Sequence, residues 1–124
     1  MPITLNATLR NTRATAIVTE AGATAKLSVY TAGFTTLLYT STCAATLGTV
    51  AGGVLTFGAV GNATAGATGG TAAIARLFKT DGTTMVIDGL TVGVTGANIN
   101  ITNTTIAPGD VVTTTSATIT EGNP

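Results

Sequence analysis

From residue 23 onward, apolar and polar positions alternate along short runs punctuated by glycine, and only the segment 4–20 shows helical spacing. There Leu5, Leu9 and Ala16 fall on one stripe, with Ile17 at its flank and Arg10 and Arg13 alongside. Thr4 or Asn6 is placed to cap the start, and Gly22 follows the end. Threonines at 4, 8, 12, 15 and 19 weaken the helix, because branching at Cβ restricts their rotamers. The pattern predicts an N-terminal helical segment, 1–22, and a single β domain, 23–124.

The β domain reads as short strands. Lys26 to Thr31 alternates Leu27 and Val29 against Ser28 and Tyr30; Thr35 to Thr40 and Ala44 to Val50 follow, with Gly48 hinting at an irregularity in the second. Ala51-Gly52-Gly53 turns the chain into Val54 to Phe57, and 58–70 predicts a loop with room for one short irregular strand. The sharpest local signal is TAAIARLFKT and TTMVIDG around Asp81-Gly82, a tight hairpin. A two-residue turn there sets Phe78 opposite Met85 and Leu77 opposite Val86, with both faces partly apolar and therefore covered. Leu90 to Val94 and Asn98 to Thr102 come next, then a turn at Pro108-Gly109-Asp110 and a long strand from Val111 to Glu121. Seven to nine strands at this spacing predict an all-β fold, an antiparallel β-sandwich of jelly-roll or immunoglobulin-like type with one N-terminal helix. No internal repeat suggests a solenoid or propeller.

Composition narrows the function more than the fold. Threonine, alanine and glycine number 30, 20 and 16 among 124 residues, and charged residues make up 8%, against roughly 25% in an ordinary soluble domain. Five cations balance five acids. Zero net charge gives no pull on nucleic acid or anionic membranes, and no apolar run is long enough to span a bilayer. There is no histidine, which removes the commonest general base and metal ligand, and one cysteine forms no internal disulfide framework. No cofactor site and no enzyme are expected. The first residues also lack the basic start and apolar run of a secretory signal, so synthesis in a cytosol is expected.

Individual candidates have plain structural readings. Asp81 and Asp110 sit beside glycines, where carboxylates stabilise turns, and no calcium loop occurs. Cys43 has no base to activate it and reads as a small buried filler. Asn6, Asn62, Asn100 and Asn103 each begin an Asn-x-Thr triplet, an unsurprising number in a chain so rich in threonine. Arg10, Arg13 and Lys26 remain as candidate interaction residues, because guanidinium forks pair carboxylates on an acidic surface; the alternative is a solvated helix face. Weakly polar strand surfaces without net charge favour association, which predicts a homo-oligomer or a component of a larger assembly.

The order of features resembles small structural proteins of tailed bacteriophages and prophages. The residues that carry the resemblance are ITLNATLRNTRATAIVTEAG, KLSVYTA, RLFKTDGTTMVIDG and GANINITNTTIAPGDVVTTTSATITEGNP, with TITEGN the most recognisable part. The chain departs from that pattern in lacking a tryptophan in the central hairpin. The resemblance implies a virion protein, a head decoration or cement subunit that binds the major capsid protein or other virion subunits and its own copies. The N-terminal segment with Arg10 and Arg13 and the C-terminal strand are the expected contact elements. A tail, collar or fibre-associated subunit is the near alternative. A carbohydrate-binding or adhesive module is a more distant one, since only Tyr30 and Tyr39 are available as tyrosine platforms.

Overall fold

A computed structural model describes residues 6–120. Helix α1, Ala7–Ala21, starts where Asn6 leaves its side chain free to accept the Leu9 N–H at 2.8 Å. It stops at Gly22, whose φ of 70° lets its N–H return to the Val18 carbonyl. Thr4 and Leu5 lie outside the described residues. The buried stripe differs from the expected one: Ala14 and Ala21 are buried with Ile17 and Val18 beside them, while Leu9 and Ala16 face outward. Alanines occur on several sides of this helix, so sequence alone left its rotation ambiguous, and packing against the sheet chose it.

The main sheet contains β1 (Lys26–Tyr30), β2 (Leu37–Thr42), β3 (Gly48–Ala51), β4 (Val54–Phe57), β7 (Ile74–Phe78), β8 (Met85–Gly93), β9 (Ile99–Ile101) and β12 (Thr114–Thr120). Short strands β5 (Ala63–Thr64) and β6 (Gly70–Thr71) pair with β11 (Val111–Val112) and β10 (Thr105–Ile106) respectively. The order across the main sheet is β2-β1-β7-β8-β9-β12-β4-β3. All neighbours are antiparallel except β8 and β9, which run parallel at Val92–Gly93.

That order forces the sheet to curl. Its two ends, β2 and β3, are successive parts of one chain run joined only by residues 43–47. Such a connection reaches about 20 Å when extended, whereas a flat sheet of eight strands would hold its edges about 34 Å apart. The chain leaving β4 then runs back along β2: Gly58 N–H bonds the Leu47 carbonyl, Cys43 bridges Val60, and Gly61 N–H bonds the Thr42 carbonyl. Among the described residues the fold is mostly β with one α-helix, a curled mixed sheet whose walls face each other across one core, as a sandwich-like arrangement requires.

Several strand limits move from the sequence reading. Ala44–Thr46 bends instead of starting a strand, and Gly89 does not end β8. The hairpin keeps the Phe78–Met85 pair, but Leu77 faces Ile87 and not Val86. Two register shifts place extra residues in β8, and Gly89 at φ 81° takes part in the second. Leu77 and Phe78 are both buried, so β7 is covered on both faces, whereas Met85 on β8 is 45% exposed. The loop predicted at 58–70 contains β5 and the start of β6, and the long C-terminal strand is broken at Thr113. Glu121 lies outside the described residues.

Leu27, Leu38, Leu47, Leu55, Leu77, Ile99 and Ile101 fill the centre. Helix α1 closes the core by lying against β3, β4 and β8. Each leucine or isoleucine buried this way contributes about 1.5–3 kcal/mol, which lets a chain with so many alanines hold a core.

Candidate interaction surfaces

The three predicted basic residues occupy distinct settings. The Arg10 guanidinium lies against the β3–β4 turn, so near Gly53 that a Cβ there would stand 2.7 Å from it. The neighbouring Asn11 Oδ1 accepts the Gly53 N–H at 2.7 Å. Arg13 is exposed on the same helix. Lys26, on β1, donates to Thr42 Oγ1 at 2.9 Å across the β1–β2 ladder. Arg10 thus helps seat the helix, while Lys26 belongs to an outward sheet face.

That face carries a group the sequence reading missed. Ser28 sits opposite both Thr40 and Arg76, and the two hydroxyls are 3.0 Å apart. Arg76 lies over the Phe34 ring, 3.7 Å from its centroid, and 5.5 Å from that of Tyr30. Tyr30 and Phe34 meet edge to face at 5.4 Å. Arg76 Nε donates to Asp88 Oδ1 at 3.1 Å, and this bond is the first cause holding the guanidinium pKa above its ordinary value. Phe34 reaches its place in the short 3-10 turn Ala32–Phe34 by adopting φ 57°, a conformation uncommon for a bulky side chain. Alternation in KLSVYT shows which way Tyr30 faces, but nothing local marks Phe34 as its neighbour. Only the pairing of β1 with β7 and the left-handed turn bring the aromatic pair under Arg76.

The acidic residues behave largely as turn chemistry requires. Asp81 accepts the Thr83 and Thr84 N–H groups, each at 2.8 Å, together with the Thr84 hydroxyl. These bonds hold its pKa down at about 2. Asp110 accepts the Ala107 N–H at 2.8 Å. Asp88 differs, serving Arg76 in place of a turn. The asparagines also have local work: Asn6 caps α1, Asn100 bonds Ala97 and Ser116, and Asn103 accepts the Thr105 N–H. Cys43 is buried, and burial pushes its thiol up to about 11 against a smaller opposing pull from Lys26. Among the described residues no three of Cys, Asp and Glu cluster as a metal site.

One cleft stands out. The runs 54–64 and 111–120 pair at both ends, through Val54–Thr56 with Thr118–Thr120 and through Ala63–Thr64 with Val111–Val112. Between those ladders they bow apart around a slot of about 290 Å³, lined by residues including Phe57, Val60, Asn62, Thr114 and Ala117. Each wall is committed elsewhere: 58–61 bonds back toward Thr42 and Leu47, and Thr114–Ala117 pairs with β9. The C-terminal strand expected to reach outward is therefore built in between β9 and β4.

No family model, no curated protein and no solved structure matches this chain.

Proposed function

We propose that the chain is a non-enzymatic structural subunit of a bacteriophage particle, a head decoration or cement protein that binds the major capsid protein and its own copies. The observation that carries this reading is the outward face of β1, β2 and β7. Half-buried Tyr30, Phe34 and Arg76 stand there among cross-strand hydroxyls, on a chain with 8% charged residues. Aromatic residues and arginine dominate the energetics of protein interfaces, because they bury much area and also offer polar or charged contacts. Leu37 and Val111, 51% and 65% exposed, add apolar surface that association would remove from water. The mechanism is mechanical: small contributions from each subunit sum over many copies in a closed shell. The sequence resemblance supplies the particle, and the surface supplies the means of attachment.

Imaging intact particles with the subunit labelled tests this reading. Density for the chain on the outer head lattice, lost in an Arg76→Glu variant that folds normally, is expected. Absence of the chain from purified particles overturns it, and density confined to tail or collar replaces decoration with the neighbouring virion role.

A further inference from the structure

We infer that a second copy of this chain covers the outward face of β1, β2, β5 and β11, joined across a two-fold axis by reciprocal Lys26–Asp110 pairs. The inference rests on the self-association part of the reading above and assigns this surface to it. The face extends beyond the main sheet. β5 runs beside β2, where Gly66 N–H bonds the Leu38 carbonyl. Ala63 and Ala65 are buried, so Thr64 between them points away from the core, and Val111 lies opposite Thr64 in the β5–β11 ladder. Lys26, Thr40 and Thr42 share that side, since the alternate residues Leu27, Val29, Tyr39 and Ser41 are buried on the other. Leu37, opposite Tyr30, belongs to it as well. Val111 and Leu37, 65% and 51% exposed, therefore stand on one surface. The exposed threonines between them place no charge there that would keep a second sheet away.

Charge selects the occupant. Lys79 pairs with Glu20, and Arg76 with Asp88. Among the described residues Lys26 meets the Thr42 hydroxyl and no carboxylate, while the Asp110 carboxylate meets the Ala107 N–H and no cation. Within one copy β1 and β11 are three strand spacings apart, about 14 Å, so Lys26 and Asp110 do not meet. A two-fold axis lying in the face, between Thr40 and Thr64, exchanges their positions: Asp110 of each copy arrives over Lys26 of the other. The same rotation carries Val111 onto the Lys26–Thr42 rung of the β1–β2 ladder and Leu37 toward Tyr30. Both unmatched charges are then met and both exposed apolar side chains covered, the isologous pairing of a self-complementary surface. Burial supplies the affinity, and the paired charges fix the register. A different protein would need an anion and a cation in this same spacing, which a second copy provides by symmetry.

The test is sedimentation velocity on the full purified chain at low salt. A dimer is expected, weakened as salt is added. Lys26→Glu and Asp110→Lys should each weaken it at least tenfold with an unchanged circular dichroism spectrum. An equal mixture of these two variants should restore a dimer, because each then offers the charge that the other lacks. Asp110→Asn, whose side chain can still accept the Ala107 N–H, removes the charge alone and should weaken the dimer as well. A monomeric native chain, a dimer indifferent to Lys26→Glu and Asp110→Asn, or folded charge-reversed variants that do not recover on mixing overturns the inference. A chain that is monomeric alone yet decorates particles overturns it and leaves the virion reading standing. This dimer, from a chain absent from particles, upholds it and overturns that reading.

Discussion

Asn11 Oδ1 accepts the backbone N–H of Gly53 at 2.7 Å, tying the middle of helix α1 to the turn between β3 and β4. The contact joins residues 42 positions apart and fixes the helix against the strands that end the sheet. Asn11→Ala leaves a part-buried amide without its acceptor, and stability is expected to fall by about 1–3 kcal/mol. A lower urea midpoint at unchanged slope would record it.

The same turn separates two glycine effects. Gly52 at φ 59° has open space where a Cβ would go, whereas Gly53 at φ 76° faces the Arg10 guanidinium. Gly52→Ala should cost the left-handed backbone term alone, about 1–2 kcal/mol. Gly53→Ala should cost more, because Arg10 must also leave its seat. Paired thermal melts decide the order, and equal losses would show that Arg10 shifts freely.

Two buried serines should respond in opposite directions. Ser28 shares a hydrogen bond with Thr40, while Ser41, 1% exposed, has no partner for its hydroxyl. Ser28→Ala is expected to lower stability by about 1 kcal/mol. Ser41→Ala removes an unsatisfied polar atom and is expected to be neutral or stabilising by up to about 1 kcal/mol. Chemical denaturation of both variants reads the difference.

Asp81 gives the hairpin an acid dependence. Its folded pKa, about 2, lies below the ordinary 3.8, so the ionised form favours the folded chain above the unfolded value. That contribution is lost as pH falls through the folded value. Protection of the Thr83 and Thr84 amides, taken relative to an unfolded chain at the same pH, should fall between pH 4 and pH 2, and Asp81→Ala should flatten this dependence.

Cys43 tests the closure of the sheet. With its thiol pushed up to about 11 by burial, little thiolate forms at pH 8, and the sulfur is shielded from reagents. The native chain should react with an aromatic disulfide at least a hundredfold more slowly than the unfolded chain. Rapid native labelling would mean that the seam between β2 and the run after β4 opens readily.

Where sequence and structure agree, the interactions are short in range. Asn6 caps α1 by reaching three residues ahead, Asp81 bonds the N–H groups two and three residues on, and Gly22 supplies the positive φ that ends the helix. Where they part, the choice lay between partners far apart in the chain. Alanine at 14 and at 16 made the rotation of α1 indistinguishable until the sheet covered one of them. Leu77 met Ile87 because β8 took up extra residues, and alternation does not count those. The Arg76 group was hidden for the same reason: Phe34, Tyr30 and Asp88 converge only after three strands have paired.

By itself, then, the sequence determined a threonine-rich β chain with one capped helix, turns at its glycines, a buried cysteine and little charge. The tertiary structure decided the strand order, the parallel pairing of β8 with β9, the curl that brings β2 and β3 to one seam, and the slot left between 57–62 and 113–117. The physical reason is that a period of two assigns a side chain to a face but not to a partner. Threonine is accepted on either face, so pairing waited on chain connectivity and on the small space between strands that had already closed.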